Sequence, residues 1–362
     1  MNARPAGAEF EYLQHSAPSN ELVEKLCHLW AKILQAQEVG PDSDFFELGG
    51  DSLTAITLLI EIEREFGIRL PVTVIYDAPT VAQQAELICS DATPEFSPLV
   101  QLKPGTGRPL FIVHGFGGTV FELAPLGRQI AWKGPVYAIQ ARGIDGREPP
   151  LTSVEQMASL YLSAVKEVQP QGPYLLAGYS FGGLIAFEMA RLARAANDKV
   201  GLLLLIDSYP HPAHWPSRAR RDQRRRKFAA RARRAATHPL ETLRLLRARV
   251  LKPAPAPIGR SWPFPPDPDL PRELRKVHEA SAAALANYAP QPFAGPLVFL
   301  RASVTDIVYP TDPETIWGGL AGRFEIHSLP GSHVGMMREH TSALAACIGA
   351  CLKRSQARIH VR

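Results

Sequence analysis

From Leu99 onward, short stretches of continuous hydrophobicity alternate with segments patterned at helical spacing. The apolar runs are PLFIVHG (109–115), PVYAIQAR (135–142), PYLLAGYS (173–180), VGLLLLIDS (200–208), PLVFLRAS (296–303) and FEIHSLPGS (324–332). A strand with one wet face alternates apolar and polar residues. These runs do not, so they suit strands buried on both faces of a mostly parallel sheet. The stretches near 119–131, 153–168, 182–196 and 335–352 supply crossover helices. The expectation is an α/β domain over 99–354, with 355–362 as a tail.

One stretch breaks the alternation. Residues 211–295 hold no convincing buried strand. Within 211–252, fourteen lysines and arginines stand against two acids, a net +12 in a chain whose total is +5. A proline-rich run, KPAPAPIGRSWPFPPDPDLP, separates this basic stretch from a last helical pattern, ELRKVHEASAAALANY.

Residues 19–90 follow a different pattern. ELVEKLCHLWAKILQ places Leu22, Leu26, Leu29, Trp30 and Ile33 at helical spacing. A second helix follows Gly49-Gly50, with Leu53, Ile56, Leu59 and Ile60 in register, and Gly67 ends it. LPVTVIYDAPT reads as an apolar connector, and VAQQAELI as a further helix. Twelve acids against four bases make residues 20–90 net −8. Residues 91–98, DATPEFSP, read as the linker, and 1–18 as an N-terminal tail.

The rest of the composition excludes more than it assigns. At 46% hydrophobic and 21% charged, the chain is globular in character. No apolar run approaches the ~20 residues of a membrane helix, and the N-terminus has no signal-peptide core. Cys27, Cys89, Cys347 and Cys351 form no CxxC pair and have no histidine cluster beside them. No metal site is expected, and a reducing cytoplasm is.

Three motifs carry chemistry. GYSFGG (178–183) fits G-x-S-x-G, with an apolar run before it and a helical pattern after it. The glycines let the chain turn sharply and raise the Ser180 hydroxyl above the sheet. A nucleophilic serine needs a base, and the base an orienting acid. His333, in LPGSHVGMM, lies in the loop after the last apolar run. His327 within that run, and His340 within the following helix, are the competitors. Asp207 and Asp306 each end a strand-like run, and the residues alone leave both open as the acid. HGFGG (114–118) follows the first of the runs listed and brings backbone N–H groups close to a developing oxyanion, so the N–H groups of Phe116 and Phe181 are the expected donors. Finally, LGGDSL puts Ser52 at the start of a helix, where a serine caps the helix or carries a phosphate group.

Residues 20–90, with LGGDSL at their centre, resemble a peptidyl or acyl carrier domain. The resemblance implies an all-α four-helix bundle with 4′-phosphopantetheine attached to Ser52. Residues 99–352, through VYAIQARG, SVEQMASLYL, GPYLLAGYSFGG and GSH, resemble the terminal thioesterases of nonribosomal peptide synthetases. That resemblance implies an α/β-hydrolase fold with a helical lid at about 211–295. It also implies that the acid follows the strand just after the nucleophile, which selects Asp207 over Asp306.

Together these features describe a free-standing carrier–thioesterase didomain. It is expected to hold an acyl, aminoacyl or peptidyl thioester and to release it by hydrolysis or cyclisation. A phosphopantetheinyl transferase, and a loading enzyme or upstream synthetase module acting in trans, are the implied partners. Two alternatives stand beside this reading: an acyltransferase or condensing enzyme, and a carrier scaffold with a silent hydrolase domain. The arginine-rich lid reads as a solvated face, as a docking surface for acidic carriers, or as a nucleic-acid or membrane contact. The last lacks interleaved aromatic residues, and neither nucleic acid nor membrane is an expected partner.

Overall fold

The computed structural model describes residues 18–50, 52–68, 70, 74–90, 96–237 and 270–360. The chain divides into two compact units between Glu95 and Phe96.

The first unit is helical: α1 (Asn20–Leu34), α2 (Ser52–Phe66), α3 (Val74–Asp77) and α4 (Val81–Cys89). Local chemistry starts two of them. The Ser19 hydroxyl accepts from the Leu22 N–H, and Thr80 and Gln83 form a reciprocal capping box. Leu26, Trp30, Phe45, Leu58, Ile62 and Ile75 are fully buried. Trp30 meets Phe45 edge-on at 5.5 Å and donates its indole N–H to Gln84. Two readings change here. The connector contains the short helix α3. In α2 the buried face is Ala55, Leu58, Leu59 and Ile62, while Ile60 is 53% exposed. Aliphatic residues occupy two faces of this helix, and the small Ala55 gave no signal as to which one packs.

The second unit is a seven-stranded sheet in the order β1-β3-β2-β4-β5-β6-β7. Its strands are β1 (Leu99–Lys103), β2 (Leu110–Val113), β3 (Val136–Ile139), β4 (Tyr174–Tyr179), β5 (Val200–Ile206), β6 (Phe293–Ala302) and β7 (Ala321–Leu329). Only the β1–β3 pairing is antiparallel. β2 and β4 are buried at every position, as continuous apolar runs require. β1 was not foreseen as a strand, because it is a half-exposed edge without such a run. Just before it, the carbonyls of Ser97 and Pro98 accept from the side chain and backbone N–H groups of Gln140.

Helices α5 (Ala124–Gln129), α6 (Val154–Val168) and α7 (Phe181–Ala195) follow β2, β3 and β4. α7 buries eleven of its fifteen residues, which makes it the centre of the core. The insertion contributes α8 (Ser217–Thr237) and α9 (Arg272–Asn287); residues 238–269 of the expected lid lie outside the described residues. After α10 (Glu314–Trp317) and β7, the expected single C-terminal helix is two, α11 (Gly335–Arg338) and α12 (Thr341–His360). His340 therefore sits at the bend between them, not inside a helix. Among the described residues, no helix is long and apolar enough to cross a membrane.

Candidate active site

Ser180 and Asp207 stand where buried strands stop, and His333 lies in the loop after the half-exposed β7. β4 runs straight into Ser180, whose backbone is left-handed at φ 54°, and α7 begins at the next residue. That conformation is strained for a residue other than glycine and costs about 1–3 kcal/mol. Here the surroundings impose it. The Ser180 N–H donates to the Ile206 carbonyl at 2.9 Å. A Cβ on Gly182 would overlap the His114 carbonyl, and one on Gly183 would overlap Ser208. The glycines of GYSFGG are thus set by close packing between β2, β5 and α7.

Asp207 ends the neighbouring strand β5 with φ 44°, also left-handed. Its N–H donates to the Leu300 carbonyl at 2.8 Å, and its Oδ1 accepts from the Ala302 N–H at 3.3 Å. The free oxygen, Oδ2, is 2.8 Å from His333 Nδ1. His333 Nε2 is in turn 3.0 Å from Ser180 Oγ. Asp207 is 4% exposed, so little water competes with these two partners for its carboxylate. The structure brings Ser180, His333 and Asp207 into a single hydrogen-bonded line. Asp306 instead accepts from the Val308 N–H at 3.1 Å and closes its own turn. His327 is bonded to Glu325 and Arg354.

Two aromatic rings hold the histidine. Tyr179 stacks on His333 at 5.0 Å and donates its hydroxyl to the His333 carbonyl. Tyr309 lies 5.0 Å from the same ring. Neither was picked out from the sequence. Tyr179 is the variable residue of G-x-S-x-G, and Tyr309 comes from an irregular loop after β6. Gln223 and Arg226 of α8 anchor that loop by donating to the Val308 and Tyr309 carbonyls at 2.7 and 2.9 Å.

The HGFGG loop follows β2. His114 is completely buried, which pushes its imidazole down to about 4, so it is neutral at pH 7. It bonds the Gly115 carbonyl through Nδ1 and the Tyr161 hydroxyl through Nε2. The Phe116 ring packs edge-to-face on Phe181 at 5.6 Å and on His278 of α9 at 4.6 Å. The Phe116 and Phe181 N–H groups donate no hydrogen bond among the described residues. Among those residues a cleft of about 230 Å³ brings Phe116, Ser180, Phe181, Asp207 and His333 together.

That cleft holds one acid the sequence reading missed. Glu122 lines it, exposed to the cleft and yet surrounded by protein, and the resulting desolvation pushes its carboxyl up to about 7.

In the helical unit, Ser52 is the first residue of α2; Asp51 lies outside the described residues. Gly49 has φ 84°, and a Cβ on Gly50 would overlap Phe45. The first turn of α2 carries no acid. A close-packed glycine turn leading to a serine at the start of a helix fits an attached phosphodiester, whose oxygens the terminal N–H groups favour.

Comparison with known proteins agrees on both units. Residues 108–352 match the thioesterase domain family, and residues 24–88 match the phosphopantetheine attachment site family. Malpibaldin synthetase of Mortierella alpina is 35% identical over 208 residues, 56% of this chain and 4% of the relative. Indigoidine synthase of Dickeya dadantii is 37% identical over 191 residues, 52% of this chain and 13% of the relative. A dimodular nonribosomal peptide synthase of Bacillus subtilis is 37% identical over 196 residues, 54% of this chain and 8% of the relative. The chain thus spans a small fraction of the curated relatives it matches. A four-domain holo nonribosomal peptide synthetase, crystallised with AMP and glycine, is 28% identical with a TM-score of 0.54. The match covers 95% of this chain and 27% of that one. The chain belongs to the thioesterase family, with its α/β unit preceded by a phosphopantetheine carrier domain.

Proposed function

We propose that the α/β unit cleaves a thioester presented by the carrier unit, in the assembly of a nonribosomal peptide or a related metabolite. One observation carries this reading: Ser180, His333 and Asp207 form a continuous hydrogen-bonded line at the floor of a cleft. The carrier spans 19–90, the linker 91–98 and the thioesterase 99–354. Ser52 carries 4′-phosphopantetheine, whose terminal thiol presents the acyl group as a thioester.

His333 accepts the Ser180 proton at Nε2 as Oγ attacks the carbonyl carbon. Asp207 Oδ2 holds Nδ1–H, fixes the tautomer and favours the imidazolium that forms. The Phe116 and Phe181 N–H groups receive the oxyanion, and each donor of this kind is worth about 3 kcal/mol. His333 then gives its proton to the leaving group, which leaves an acyl-Ser180 ester. Water, or a nucleophile within the acyl group, resolves that ester with His333 again as base.

A phosphopantetheinyl transferase must modify Ser52, and a synthetase module or acyl-loading enzyme must charge it. Four free cysteines favour a reducing cytoplasm as the setting. The test is intact mass after incubation with a broad-specificity phosphopantetheinyl transferase and a panel of acyl- and aminoacyl-coenzyme A donors. Wild type and Ser180→Ala should both gain the arm, Ser52→Ala should not, and only Ser180→Ala should retain certain acyl groups. Wild type that gains no mass overturns the carrier assignment. If wild type keeps every group that Ser180→Ala keeps, release at Ser180 is overturned.

A further inference from the structure

A carboxylate beside an oxyanion hole is electrostatically unfavourable, because it opposes the charge the hole exists to stabilise. Glu122 stands in that position. Its carboxylate occupies the space that a Cβ on Gly115 would fill, between the Gly115 backbone and the Tyr179 ring. Gly115 precedes the oxyanion donor Phe116, and Tyr179 precedes the nucleophile Ser180. The acid therefore sits one residue from each of the groups that grip the reacting carbonyl. The missing side chain of Gly115 leaves the space that the Glu122 carboxylate fills.

The described surroundings compensate the Glu122 charge only in part. Among the described residues it forms no ion pair and no hydrogen bond to another side chain. The Gly115 N–H faces its carboxylate, and the positive charges that reach it, from His333 and Arg338, act at a distance. It stays open to the cleft, whose other acid, Asp207, is engaged by His333 and the Ala302 N–H, and whose walls are mostly aromatic and imidazole rings. The Tyr209 hydroxyl on the same wall is buried and has no hydrogen-bond partner among the described residues.

We propose that Glu122 is a specificity-determining residue that pairs with a cationic amino group next to the thioester carbonyl, so that the site selects α-aminoacyl groups over their desamino counterparts. The proposal rests on the thioesterase reading above. With the carbonyl oxygen at the oxyanion donors, the ammonium of an α-aminoacyl group, two bonds from the carbonyl carbon, lies on the side of Gly115 and Glu122. Bound there, it cancels the opposing charge as the oxyanion develops. Wherever Glu122 is ionised, a desamino acyl group leaves that charge in place and must react against it. Discrimination thus has an attractive and a repulsive part, both located in one side chain.

The test uses the full chain with N-acetylcysteamine thioesters in two matched pairs: phenylalanyl against 3-phenylpropionyl, and alanyl against propionyl. Wild type should favour the amino member of each pair in kcat/KM. Glu122→Gln, which keeps the shape and removes the charge, should shrink that preference by about tenfold or more, the scale of one charged hydrogen bond. Glu122→Asp should retain part of it. A lost fold would lower both members of a pair together, whereas the ratio responds only to the amine. Labelling of Ser180 by a fluorophosphonate confirms that each variant keeps a formed site. A wild-type preference that Glu122→Gln leaves within twofold overturns the proposal, as does the absence of any preference in wild type. Wild type that neither cleaves a thioester nor takes the fluorophosphonate overturns the thioesterase reading itself, and the inference with it.

Discussion

The two units each present a serine at the start of a helix beside glycines, and among the described residues Ser180 has a histidine within hydrogen-bond reach. Ser52 opens α2 after Gly49-Gly50, and the single histidine of residues 20–90, His28, bonds the Glu24 carbonyl on its own helix. Ser180 precedes α7 in a strained left-handed conformation, 3.0 Å from His333. A helix N-terminus offers either serine the same backbone N–H groups. What separates them is a base delivered from elsewhere in the chain, more than 150 residues later. A serine motif therefore states where a hydroxyl will stand, and the neighbouring strand ends decide what it can do.

The largest expected effect separates the two serines by chemistry. Asp207→Asn should lower kcat for thioester cleavage by about 10⁴, because His333 then takes the wrong tautomer. Loading of Ser52 should be untouched, as intact mass will show. Asp306→Asn serves as the counter-test: a comparable loss there would move the acid to the β6 loop.

Next is packing. Gly182→Ala places a methyl group against the His114 carbonyl, and Gly50→Ala places one against the Phe45 ring and carbonyl. Neither backbone oxygen can yield cheaply, so each change should cost about 1–3 kcal/mol or more. Gly182→Ala should remove ester hydrolysis and spare loading; Gly50→Ala should do the reverse. Thermal melts read together with both activities check this, and a Gly50→Ala protein that loads normally would break the parallel between the turns.

The pH dependence of stability gives a third contrast, now within the α/β unit. His114 is held neutral, with its folded value near 4 against an ordinary 6.5. A lowered histidine contributes stability above pH 6.5 and loses it as pH falls toward 4, by at most about 3 kcal/mol. Glu122 has the opposite sign. Its raised value means that the folded protein holds a proton the unfolded chain gives up, so its contribution is present below the ordinary 4.5 and lost as pH rises through 7. The melting temperature of Glu122→Gln should therefore gain on wild type between pH 4.5 and 7.5. His114→Gln should gain on wild type, relative to its deficit at pH 7, as pH falls from 6.5 to 4. Parallel profiles for either variant would mean that the side chain does not titrate as its surroundings require.

The smallest effect concerns α8, which reaches the loop after β6 through Gln223 and Arg226. Arg226 donates to the Tyr309 carbonyl, and Tyr309 lies against His333. Arg226→Ala should lower kcat/KM by a few-fold, whereas a change at exposed Arg231 should not. Equal effects at the two positions would point to the helix's overall charge and not to the tether.

Much of this arrangement is written in the chain. Continuous apolar runs such as LLLLI and FIV cannot tolerate a wet face, so they specify a parallel sheet covered on both sides. GYSFGG between a strand and a helix specifies a raised hydroxyl, and LGGDSL a serine at a helix start. Family resemblance then chose Asp207; its nearness to Ser180 follows from β5 ending next to β4, and the loop after β7 brings His333 to both. The edge strand β1, the buried face of α2 and the break at His340 were not legible. Each depends on which neighbour covers a weakly patterned segment. The same holds for Tyr179, Tyr309, His278 and Glu122: no spacing marks them. A side chain's chemistry belongs to the sequence, but its task is set by what lies across the cleft. Only the tertiary structure brings residues 115, 122 and 179 together around a single carboxylate, because close packing, not local propensity, decides which atoms share that space.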